Sequence, residues 1–75
     1  MTDRREKSKE WVKSGRFAVE VEVEVIYPFE SPLEACFEPE TLRLLDEISR
    51  RAERAEADDL EYLRSVGHVY EAVLA

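Results

Sequence analysis

Side chains suited to redox, metal or nucleophilic chemistry are scarce in this chain. Its 75 residues hold one cysteine, Cys36, and one histidine, His68. A single cysteine excludes an internal disulfide, and with only His68 to join it a structural zinc site has too few soft ligands. No apolar run approaches the roughly 20 residues needed to cross a bilayer. The opening "MTDRREKSKE" has no apolar h-region, so it does not read as a signal peptide. These absences lead to the expectation of a cytoplasmic protein with a reduced thiol, no cofactor and no membrane partner. At this length folding buries only about 60% of the extended-chain surface. One small domain, residues 1–75, is therefore expected, with self-association as the remaining device for gaining stability.

Charge is plentiful and unevenly placed. The formal net charge is −7. Residues 1–16 carry six basic and three acidic side chains, whereas the remainder carries five arginines and fifteen acids. An acidic body repels phosphate and anionic lipid, so nucleic acid is not expected as a partner. The basic head can reach a partner or fold back on its own body. Residues 1–9 have little apolar pattern and read as a flexible charged tail.

The clearest signal is "FAVEVEVEVIY", residues 17–27. Phe17, Val19, Val21, Val23, Val25 and Tyr27 fall on one face of a strand, and Ala18, Glu20, Glu22, Glu24 and Ile26 on the other. One apolar and one charged face is the pattern of an antiparallel sheet covered on one side. Pro28 and Pro32 interrupt it. "LEACF", residues 33–37, alternates again and reads as a short antiparallel partner, with Cys36 as a small buried hydrophobe. Pro39 and Glu40 suit a helix start. Leu42, Leu45, Ile48, Ala52 and Ala55 recur at helical spacing. A break near 56–58, capped by Asp58 or Asp59, leads to a second helix with Leu60, Leu63, Val66, Val69 or Tyr70, and Val73 on its apolar stripe and Gly67 inside it. A single helix from Pro39 onward is the alternative. The fold class is α+β: a long antiparallel strand with a short partner strand, then two C-terminal helices packed on one sheet face.

Each candidate site has a plain structural reading beside it. Glu20, Glu22 and Glu24 stand about 7 Å apart along one face. They suit recognition of a basic protein, or simply a solvated face; a straight row spreads carboxylates too far for calcium. Trp11, Phe29 and Tyr62, with Tyr70, can form an exposed aromatic patch or fill the core. Cys36 and His68 lack the local signature of a nucleophilic pair, so no catalytic residue is expected. An 11-residue strand with a five-residue neighbour leaves an open edge that a second copy can fill. A strand followed by two helices invites comparison with ribbon–helix–helix repressors, but three glutamates are wrong for a groove-facing strand.

The functional expectation is a small acidic, non-catalytic interaction or regulatory module, a homodimer or bound to a basic protein through Glu20, Glu22, Glu24, Trp11, Phe29 and Tyr62. Two alternatives are a small ligand-binding or accessory subunit, with Tyr70, His68 and Cys36 lining a pocket at a dimer interface, and a nucleic-acid regulator acting through the basic N-terminal arm.

Overall fold

The computed structural model of the chain describes residues 2–72. Five elements follow in order: β1 (Arg4–Ser14), β2 (Phe17–Tyr27), α1 (Pro39–Arg54), α2 (Ala57–Val66) and β3 (His68–Glu71). The strands form one antiparallel sheet in the order β1-β2-β3, and both helices lie against one face of it. The α+β class expected from the sequence is what the chain adopts.

β1 corrects the expectation of a flexible tail over residues 1–9. Arg4 to Ser14 pairs residue for residue with β2, from Arg4 opposite Tyr27 to Ser14 opposite Phe17. The joining turn has only two residues, Gly15 and Arg16. Gly15 takes φ 58, the first central position of a II′-type hairpin turn, where glycine alone is unstrained. The strand escapes an apolar-pattern search because it is an edge strand with no fully buried residue.

"LEACF" is not a strand. Turns close from Ser31 to Pro28 and from Glu34 to Ser31, and only Cys36 reaches β2, exchanging two 2.8 Å backbone hydrogen bonds with Ile26. Leu33 is 96% exposed and Cys36 is exposed too, which corrects its reading as a buried hydrophobe.

The helices divide where the sequence suggested. Ala55 ends α1 in the left-handed region (φ 54), donating its N–H to the Arg51 carbonyl. Neither Asp58 nor Asp59 is the cap of α2. Glu56 takes that place, and Asp59, one turn in, accepts the Glu56 N–H at 3.0 Å.

The second helix is shorter than expected. It stops at Val66, and Val69 and Tyr70 belong to β3; Val73 lies outside the described residues. Gly67 is therefore not a helix-interior residue. It is extended, and a Cβ there would run into the Glu20 carbonyl. Its bareness lets the chain leave α2 and come down directly beside β2.

The core lies between β2 and the helices. Phe17, Val19, Val21, Val23 and Val25 meet Ile48 and Ala52 of α1 and Leu63 of α2, all buried. Val12, Leu44, Leu45, Leu60, Val66 and Val69 pack around them. Asp59 is the one buried charged residue among those described. Arg54 grips it with two hydrogen bonds, 2.8 Å to Oδ2 and 2.7 Å to Oδ1, and Arg51 adds a longer contact of 3.4 Å.

Candidate functional site

The helices cover one side of the sheet, and the other faces solvent. In register, the open side carries Arg5, Lys7, Lys9, Trp11 and Lys13 from β1, Ala18, Glu20, Glu22, Glu24 and Ile26 from β2, and His68 and Tyr70 from β3. The row of glutamates therefore faces the basic head of its own chain. The ion pairs run diagonally between strands: Arg5 to Glu24 at 2.6 Å, Lys7 to Glu22 at 3.7 Å and Lys9 to Glu20 at 3.9 Å. Arg5 also reaches Glu38, just before α1, at 2.5 Å. Hydrogen bonds that Arg5 donates to Glu38 and then to Glu24 hold its guanidinium still more firmly in the charged form.

The face is consequently zwitterionic. Four cations stand beside three carboxylates, and the acidic excess of the chain resides mainly in the 28–38 loop and around α2. Lys13 has no ion-pair partner among the described residues.

At the turn end of the same face, the Trp11 and Tyr70 rings meet at 5.4 Å between centroids, inclined by 45°. They come from the two outer strands. Between them β2 contributes Ala18, directly opposite both Lys13 and Tyr70. Its single methyl leaves room for the rings to meet across the central strand. Both remain about half exposed, Trp11 at 49% and Tyr70 at 52%. A shallow depression of about 320 Å³ opens beside Tyr70 at the turn end of the sheet, between Lys13, Gly15, Arg16 and Phe17 on one side and Glu71 and Ala72 on the other.

The remaining residues singled out from sequence do not join this face. Phe29 is exposed in the loop after β2, its N–H held by Asp3 at 2.9 Å. Tyr62 lies on α2, partly buried against the core, with the Arg51 guanidinium 4.5 Å from its ring centroid. Cys36 pairs with Ile26 and His68 with Glu20, which sets them about 20 Å apart along β2.

Glu56, Asp58 and Asp59 bring carboxylate oxygens close together. Both oxygens of Asp59 are already engaged by Arg54, and the cluster reads as the α1–α2 junction rather than a cation site.

Besides Arg5, Lys7 and Lys9 of the expected tail, His68 and Tyr70 are members of the open face that the sequence placed elsewhere, in the second helix. A short β-branched and aromatic run after Gly67, "HVY", was the available signal. The matching basic row was legible too: Arg5, Lys7, Lys9 and Lys13 alternate with period two, as the glutamates do.

The backbone direction of each residue follows from the pairing. Ile26 exchanges hydrogen bonds with Cys36, so its polar backbone groups point away from β1. Arg5, opposite it, points to the outer edge, and by alternation so do Lys7, Lys9, Trp11 and Lys13. Among the described residues no strand pairs with that edge. No helix is long and apolar enough to cross a membrane. Compared with known proteins, the chain matches no protein-family model, no curated protein and no solved structure.

Proposed function

We propose that the chain is a small non-catalytic protein-interaction module that binds through the open side of its sheet. The observation that carries this reading is the Trp11–Tyr70 pair, half exposed on a three-stranded platform and ringed by charge. Aromatic side chains give large contact area for little lost rotamer freedom and dominate interface energetics. A face with charges of both signs adds selectivity through complementarity.

The partner proposed is a different protein rather than a second copy. The open edge of β2 that suggested a homodimer is filled along its length by β1. A basic partner for the glutamates is likewise supplied from within the chain.

The test is retention of proteins from a native extract on the immobilised chain, comparing wild type with Trp11→Ala and Tyr70→Ala. The expected result is a protein held by wild type and lost from both variants, with melting temperatures close to wild type. Retention indifferent to both substitutions, or none above a blank matrix, sinks the reading.

A further inference from the structure

We infer that the outer edge of β1 is a strand-addition site for an extended acidic segment of a partner protein, a proposal that rests on the interaction reading above and names its partner class. An incoming strand has two requirements of an edge: free backbone groups at every second residue and side chains that suit its own. β1 meets the first at Arg5, Lys7, Lys9, Trp11 and Lys13, whose backbone N–H and C=O groups face outward. The second follows from the same geometry. Those five residues also project their side chains onto the open face, so an added strand meets four cations and one indole in a single row.

Cross-strand pairing of opposite charges is favourable, and like charges directly opposite are unfavourable. The matching strand therefore places acids opposite Lys7, Lys9 and Lys13, and an apolar or aromatic residue opposite Trp11. Arg5 is already held by Glu24 and Glu38, but the rest of the row is not satisfied from the other side. Lys7 and Lys9 reach Glu22 and Glu20 only at 3.7 and 3.9 Å and remain largely exposed, and Lys13 has no ionic partner among the described residues.

The same charges argue against a second copy of β1. Antiparallel self-pairing centred on Lys9 sets Lys9 against Lys9 and Arg5 against Lys13. Centred on Glu10, it sets Lys7 against Lys13; centred on Trp11, Lys9 against Lys13. Lysine along an edge is a recognised guard against such self-association. Here it rejects the chain's own copy while leaving the edge open to acid.

The probe is a synthetic peptide alternating glutamate with threonine and carrying one phenylalanine, together with a counterpart in which lysine replaces glutamate. Binding to the full chain is followed by fluorescence anisotropy and by amide chemical shifts and hydrogen exchange. The expected result is that only the acidic peptide binds. Shifts and new protection should centre on the Arg5, Lys7, Lys9, Trp11 and Lys13 amides, and affinity should fall several-fold on raising salt to ~0.5 M. Lys9→Pro removes an outward N–H and leaves the β1–β2 ladder intact, so it should abolish binding. The double variant Lys7→Gln and Lys9→Gln should bind roughly fivefold more weakly, and it carries the test if the proline variant melts early.

Equal binding of the lysine peptide, shifts centred on the helices, or displacement of the peptide by a duplex oligonucleotide overturns the proposal. No peptide binding, alongside extract proteins retained in a Trp11-dependent way, overturns the edge site and leaves the broader reading standing. Loss of both overturns both.

Discussion

Along β2, Val19, Val21, Val23 and Val25 are buried while Glu22 and Glu24 between them stay half exposed. Both sides of the sheet thus use the same backbone, but they resist disruption differently. The covered side is held by packing. Each buried valine, leucine or isoleucine contributes roughly 1.5–3 kcal/mol, and a void cannot be refilled by solvent without loss. The open side is held by exposed ion pairs worth about 1 kcal/mol or less each, because water and salt offer both partners an alternative. Burial changes the weight of a charge as well. Asp59, fully enclosed under Arg54, has no such alternative, whereas Glu22 has. Stability therefore belongs to the covered side, which leaves the open side free for the recognition proposed for it.

Three substitutions put that contrast to the test. The largest effect is expected from Ile48→Ala, which opens a cavity where α1 meets the valines. It should cost about 3 kcal/mol in chemical denaturation. A loss below about 1 kcal/mol would mean that the covered side is not the main source of stability.

Asp59→Asn comes next, because an amide cannot accept both Arg54 bonds, and the melting temperature should fall by roughly 10 °C at neutral pH. The Arg54 hydrogen bonds hold the Asp59 carboxyl down to about 2, with the Glu56 N–H helping against the effect of burial. Its folded pKa thus lies below the unfolded value. Its stabilisation is complete above about pH 4 and disappears as pH falls from about 4 to about 2. Wild type and variant should converge across that window. A constant difference in acid melting curves would reject the Arg54 clasp.

Glu22→Gln, on the open side, is the smallest. It should change stability by less than about 0.5 kcal/mol, and the difference should vanish in high salt. A larger, salt-insensitive loss would give the ladder a structural weight that exposed pairs rarely carry.

How much of this was legible depends on which signal each segment carries. β2 announces itself because one face is dry and the other wet. α1 and the start of α2 do so through their apolar stripe, and the acidic run after Ala55, the last stripe residue, marks the break between them. β1 gives no apolar period, since one of its faces is solvent and the other only partly covered. Its information lies in charge, as the complement of Glu20, Glu22 and Glu24, and a row of one sign can be matched to its opposite only when both are considered together. β3 was hidden by coincidence: Val66, Val69 and Tyr70 continue the helical spacing of Leu60 and Leu63, and only the close approach at Gly67 ends the helix. The glutamates and Trp11 stand out in the sequence, but their assembly with Tyr70 on one face needed β3.

The Gly15–Arg16 turn has a consequence for the order of assembly. It brings Ser14 and Phe17 together at almost no cost in chain entropy, and each further pair out to Arg4 and Tyr27 extends a contact already made. β3 must instead find β2 from about 50 residues away in sequence, across a far longer closing loop. The hairpin is thus the fast, local event and β3 the slow closure. Tyr70 arrives with β3, so the aromatic pair on the open face is completed only when the last strand docks.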